Sequence, residues 1–131
     1  MKVLIVDDDT FKIKEIIRSL NKLGIDNIKS VSSLREMYSS LKEDTFDLII
    51  LDNNFPEFID SLPKRNLGLE TLYMISQRKL LLNLLGKAKV IICSSDDIDE
   101  DISYDFYLGN IIYDSSIDIL GDLKSFLGGI L

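Results

Sequence analysis

Three short, uninterrupted apolar runs constrain this chain more than any other feature: Val3-Leu4-Ile5-Val6, Leu48-Ile49-Ile50-Leu51 and Val90-Ile91-Ile92-Cys93. A strand that is apolar at every position, not at every second one, must be covered on both faces. Each run stops at a polar group: Asp7, Asp52 and Ser94 respectively. Between the runs the apolar residues recur at helical spacing. Strands alternating with helices in this way form an open, mostly parallel sheet with helices on both faces, joined by right-handed crossovers.

The pattern gives the elements between the runs. Thr10 is the expected N-cap of a first helix carrying Phe11, Ile13, Ile16, Ile17, Leu20 and Leu23, which Gly24 ends. A second strand lies within Ile25–Val31. Ser32 or Ser33 caps a second helix whose Leu34, Met37, Tyr38 and Leu41 share a face. Residues 53–67 hold both prolines and read as an unusually long loop. One long helix is expected over 68–85, with Leu69, Leu72, Tyr73, Leu80 and Leu84 inward. The acidic stretch 96–108 could hold a short helix. A fifth strand is expected at 110–113, and a last helix from Ser115 or Ser116 to Gly128-Gly129.

The 131 residues suit a single domain, 1–131, and 46% apolar content supplies a core without metal or disulfide staples. Fifteen basic against 22 acidic residues give a net charge of −7, which argues against nucleic-acid or anionic-membrane partners. Histidine is absent, which excludes histidine triads, histidine-containing zinc sites and a phosphohistidine role. The single cysteine, Cys93, fits a reduced compartment and reads as a small buried apolar residue. No signal peptide is visible and no apolar run approaches the ~20 residues of a membrane span. A soluble, cytoplasmic protein is expected.

In sheets of this kind functional groups gather at the carboxyl ends of the strands, where strand order reverses. Asp7 and Asp8 follow the first strand, Asp52 the third, Ser94 the fourth, and Tyr113-Asp114 close the fifth. Carboxylates about 6 Å apart at an effective dielectric near 20 repel by roughly 3 kcal/mol per pair. A hard cation relieves this, and Mg²⁺ takes one or two carboxylates while keeping several waters. With Asp7 and Asp8 holding the metal, Asp52 is placed as a nucleophile toward phosphorus, and Ser94 to hydrogen-bond a phosphoryl oxygen. The plainer readings are that Asp7-Asp8-Asp9 caps the first helix and Asp52 forms a turn. Asp97, Asp99 and Asp101 have calcium-loop spacing, but Ile102 and Leu108 occupy the required Gly and Glu positions.

Two stretches carry a resemblance to a known family. Lys2-Val3-Leu4-Ile5-Val6-Asp7-Asp8-Asp9 resembles the opening of bacterial two-component receiver domains, as does Phe46-Asp47-Leu48-Ile49-Ile50-Leu51-Asp52-Asn53-Asn54-Phe55-Pro56. Gly68-Leu69-Glu70-Thr71-Leu72 is similar to the start of that family's third helix, and Val90-Ile91-Ile92-Cys93-Ser94-Ser95 to its fourth strand. The resemblance implies a flavodoxin-like α/β fold, an open five-stranded parallel sheet of order 2-1-3-4-5. It implies Asp52 as phosphoacceptor, and Asp7 with Asp8 as the acidic pair binding Mg²⁺. It further implies the Asn54 backbone carbonyl as a metal ligand, Ser94 as the switch hydroxyl and Pro56 as the proline of the following loop. The implied partners are a histidine kinase or phosphotransfer protein and a downstream protein target. No catalytic turnover of a substrate and no output domain are expected, and the helix four–strand five–helix five face or the 53–67 loop would make the output contacts.

The family places a Lys at the end of strand five, where this chain has Tyr113-Asp114. No Lys or Arg lies between Lys89 and Lys124, and Lys87 and Lys89 start strand four, about 16 Å from the rim at ~3.3 Å per residue. On this reading nothing cationic replaces the Lys, Tyr113 offers Asp52 one neutral hydrogen bond, and Tyr113→Lys raises metal-free stability. The alternative is a degenerate receiver that acts as a phosphorylation-independent interaction module. A third reading, an aspartyl-nucleophile phosphohydrolase using Asp7 and Asp9, fails because Phe11 stands where its Thr is needed.

Overall fold

The apolar runs occupy the middle of a five-stranded sheet in order β2-β1-β3-β4-β5, every neighbouring pair parallel. The computed structural model describes residues 1–98 and 101–128; Asp99 of the acidic stretch and Gly129 of the expected helix stop lie outside them. The strands are β1 (Lys2–Val6), β2 (Asn27–Val31), β3 (Leu48–Leu51), β4 (Lys89–Ser94) and β5 (Tyr107–Ile112). The helices are α1 (Thr10–Lys22), α2 (Leu34–Glu43), α3 (Leu67–Gln77), α4 (Lys79–Leu85) and α5 (Leu120–Leu127). None is long and apolar enough to cross a membrane.

Alternation along the strands divides the core into two layers. Val3, Ile5, Leu48, Ile50, Ile91 and Cys93 face α1 and α5, packing with Ile16, Leu20, Leu123 and Leu127. Leu4, Val6, Ile49, Leu51, Val90 and Ile92 face α2, α3 and α4, packing with Met37, Leu41, Leu72 and Leu85. The central runs of β1, β3 and β4 are therefore apolar at every position because helices cover both of their faces.

Several elements differ from the sequence expectation. The N-cap of α1 is Asp9, not Thr10: its carboxylate accepts the N–H groups of Phe11 at 3.1 Å and Lys12 at 3.2 Å. This register turns Phe11 outward, 60% exposed, and buries Lys12 at 4%. At α2 the cap is Ser33, one of the two expected, whose Oγ accepts the Glu36 N–H while Glu36 Oε1 accepts from the Ser32 and Ser33 hydroxyls. The long helix expected over 68–85 is two helices, broken at Arg78, which is extended (φ −122°, ψ 116°). The break leaves Tyr73 and Leu80 exposed, although both were expected inside.

The 53–67 loop is held by a two-residue bridge: the Lys64 N–H donates to the Phe55 carbonyl at 3.0 Å, and the Phe55 side chain is fully buried. The loop also seats on the start of α2, where the Leu34 and Arg35 N–H groups donate to the Pro56 and Glu57 carbonyls. Between β4 and β5 the described residues form no helix. β5 begins at Tyr107, earlier than expected, and the last helix begins at Leu120, later than Ser115.

Candidate functional site

Asp7 and Asp52 continue the extended pairing of their strands, with the Asp7 N–H donating to Val31 O and the Asp52 N–H to Val6 O. By alternation both side chains turn to the face that α1 covers. The Asp9 cap starts α1 immediately after β1, which brings its first turns over the two carboxylates. Lys12, on the helix's inner face, meets them there: its Nζ lies 2.8 Å from Asp7 Oδ2 and 3.1 Å from Asp52 Oδ1. The ammonium also donates to the Cys93 carbonyl at the end of β4.

These groups are buried. Asp7 is 1% exposed, Lys12 4% and Asp52 9%. Asp8 is exposed, yet one carboxylate oxygen from each of Asp7, Asp8 and Asp52 lies within 4.8 Å of the others. Together they line one cleft of about 670 Å³ with Phe11, Lys12 and Tyr113. Burial pushes the Asp7 carboxyl up to about 6, with Lys12 opposing and the Asp52 charge adding to the rise. Burial also raises Asp52, against the pull of Lys12 and the Asn53 and Asn54 N–H groups. Burial works to lower Lys12, but Asp7 and Asp52 together overcome it and hold the ammonium above its ordinary value.

The expectation that nothing cationic replaces the strand-five Lys is overturned. The cation comes from α1, five residues after Asp7. Tyr113 follows directly after β5, which ends one residue earlier than expected, and its N–H donates to the Ser94 carbonyl at 2.8 Å. Its side chain gives Asp52 no hydrogen bond, however: among the described residues the buried hydroxyl has no partner, and the ring lies 5.6 Å from Lys12 Nζ. Tyr113 thus packs beside the cation that was thought missing.

Ser94, 1% exposed, closes β4 on the strand face opposite Cys93, and its Oγ accepts the Asp96 N–H at 3.2 Å. Asn54 lines the cleft; its side-chain amide donates to Asp96 Oδ2 at 2.8 Å, and its Oδ1 accepts the Asn66 N–H at 2.9 Å. The sequence reading passed over Asn53, which is 1% exposed and joins three segments. Its amide donates to Asn66 Oδ1 and Asp96 Oδ2, and its Oδ1 accepts the Leu69 N–H. Two consecutive asparagines directly after Asp52 were the available signal. Asp96, gripped by Asn54 and Asn53, has its carboxyl held below the ordinary range.

The donor set suits a hard divalent cation. Three carboxylates offer oxygen ligands at one rim, one of them open to solvent, and the cluster has no soft ligand. With one ammonium for three carboxylates, the rim keeps net negative charge that such a cation would offset.

Comparison with known proteins gives a consistent result. A family model described as the response regulator receiver domain matches residues 3–109. Among solved structures, the chain is similar to the response regulator TrrA of Thermotoga maritima in complex with Mg²⁺-BeF, at 23% identity and TM-score 0.66, covering 97% of this chain and 100% of that one. It is similar to a CheY-like receiver domain from Methylobacillus flagellatus at 17% identity and TM-score 0.69, covering 100% and 98%. A two-component response regulator from Legionella pneumophila matches at 19% identity and TM-score 0.68, covering 98% and 95%. The search of curated proteins returns no match.

Proposed function

The chain belongs to the response regulator receiver domain family, and from that premise we propose that it accepts a phosphoryl group on Asp52 from the phosphohistidine of a partner kinase or phosphotransfer protein. The observation that carries this reading is the convergence of Asp7, Asp8 and Asp52 on one rim, with Asp52 at the end of a central strand. An Asp52 carboxylate oxygen attacks phosphorus as the phosphorus–nitrogen bond breaks. The bonding pair returns to the imidazole, and the product is an aspartyl phosphate. The Asp7, Asp8 and Asp52 carboxylates and the Asn54 backbone carbonyl would hold Mg²⁺. When bound, it neutralises charge on the phosphoryl oxygens.

Ser94 would donate its hydroxyl to a phosphoryl oxygen, which it can do while still accepting the Asp96 N–H. The chain then acts as a carrier of the group, passing its state to a downstream protein by contact. The alternative of a phosphorylation-independent docking module drew its support from the absent strand-five Lys and the Pro that follows it in the family; Lys12 supplies a cation beside Asp52, which favours the phosphoacceptor reading. Incubation with acetyl phosphate and Mg²⁺, followed by intact mass, tests the proposal. The expected result is one added phosphoryl group on wild type and none on Asp52→Ala. A wild type left unmodified at every donor and Mg²⁺ concentration overturns it.

A further inference from the structure

We propose that Lys12, reaching in from α1, is the catalytic cation of this site: it neutralises the acceptor before transfer and pairs with the phosphoryl group after it. The inference rests on Asp52 being the acceptor. Lys12 would be a poor choice for structure alone. Its ammonium is almost entirely removed from water, at a cost that burying an apolar residue beside Ile16 and Leu20 would avoid. That cost is offset at a single place, where Nζ touches Asp7 Oδ2, Asp52 Oδ1 and the Cys93 carbonyl. Every polar contact of the ammonium among the described residues is therefore with the acceptor, its acidic neighbour or the adjacent strand end.

The contact has two chemical consequences. In the resting protein the ammonium sits against two of the three carboxylates available to a divalent ion, so it opposes metal binding electrostatically while preventing their mutual repulsion. In transfer from an acyl phosphate, an Asp52 oxygen bonds to phosphorus and the phosphorus–oxygen bond to the acyl group breaks. The carboxylate leaves with the electron pair and no proton moves. Asp52 gains negative charge in the process, and Lys12, already within 3.1 Å of its Oδ1, is placed to form the charge-assisted contact that this charge needs. Tyr113 supports the arrangement by laying its ring beside the ammonium, 5.6 Å from Nζ to centroid, without competing for a hydrogen bond.

The test uses Lys12→Met, with Lys12→Gln as a second variant that keeps an N–H donor for the Cys93 carbonyl should the first fail to fold. Two readouts are made on each: Mg²⁺ affinity by calorimetric titration, and the rate of modification by acetyl phosphate at saturating Mg²⁺. Loss of the charge should tighten Mg²⁺ binding and slow modification, each by about tenfold or more. Adding Tyr113→Lys to Lys12→Met should restore both toward wild type, because it returns an ammonium to the cleft from β5. Unchanged affinity and rate in a folded Lys12 variant overturn the inference, as does failure of the relocated Lys to restore either quantity. If wild type itself is never modified, the acceptor reading fails. A tenfold change in Mg²⁺ affinity would then still place the Lys12 charge at the metal-binding carboxylates, while an unchanged affinity would refute that too.

Discussion

Residues four apart share a helix face, so Lys12 heads the stripe that continues through Ile16 and Leu20 into the core. In the sequence it reads as an ordinary polar flank, because the groups that explain its burial lie on another part of the sheet, Asp52 forty residues further on. The spacing of Phe11, Ile13, Ile16 and Ile17 allows either of two registers, and the Asp9 cap selects the one that exposes Phe11. The carboxylates were legible because each ends an apolar run. Tyr113 was expected to close β5 and to hydrogen-bond Asp52; it lies one residue past the strand and makes no such bond. Its buried hydroxyl lacks a partner among the described residues, so Tyr113→Phe is expected to raise thermal stability by up to about 1 kcal/mol while keeping the ring beside Lys12. Tyr113→Lys in the presence of Lys12 loses the ring and crowds two ammonium groups, and should lower metal-free stability by about 1–2 kcal/mol. Melting curves of the two variants decide both points, and a stabilised Lys variant would show the cluster still short of positive charge.

At the level of elements, the start of α3 is pressed against the acceptor loop. A Cβ on Gly68 would lie 2.5 Å from the Asp52 carbonyl oxygen and 2.9 Å from Asn53 Cα, both backbone atoms with little room to yield. Gly68→Ala should therefore cost about 1–3 kcal/mol of stability, as overpacking does, and disturb the Asn53 hydrogen bonds to Leu69 and Asn66. Gly121, in the first turn of α5, has open space around its missing Cβ. Its replacement by Ala should be neutral or stabilising by up to about 1 kcal/mol. Chemical denaturation of the pair separates close approach from helix propensity, and equal effects would contradict the packing at Gly68. The break at Arg78 was not legible because Met74, Ile75, Leu81 and Leu85 continue an apolar pattern across it. Among the described residues between β4 and β5, Asp96 is committed to Asn53 and Asn54 while Ile98, Tyr104 and Phe106 pack on the core, so side-chain contacts outside a helix hold this stretch.

For the whole molecule, three buried strands were enough to predict a parallel sheet, and the resemblance supplied the strand order that the structure shows. The opposite edge of that sheet is fastened by Asp47, just before β3. Its carboxylate accepts the Lys2 N–H at 2.7 Å and lies 3.1 Å from Lys87 Nζ; its own N–H donates to Lys2 O, and its carbonyl accepts the Lys89 N–H. The Lys2 N–H and then Lys87 hold this carboxyl below its ordinary range. A carboxyl depressed by folding adds stability above its unfolded pKa of about 3.9 and loses it as pH falls through the folded value. Asp47→Asn should thus cost less than about 1 kcal/mol at neutral pH, since the carboxylate is a third exposed and screened by solvent. The gap between the two proteins should close below pH ~3 in denaturation measured across pH. A gap that persists in acid would mean that the amide loses more than the charge.

The residue that follows β5 is the aromatic Tyr113, and the positive charge beside the carboxylates comes from α1 instead. On the proposal above, the site needs one positive charge beside Asp52, and in this chain α1 delivers it. On that proposal the position after β5 need not carry the charge here, and Tyr113 packs its ring beside Lys12 instead. This chain is therefore better judged by which side chain enters the cleft than by which residue follows β5.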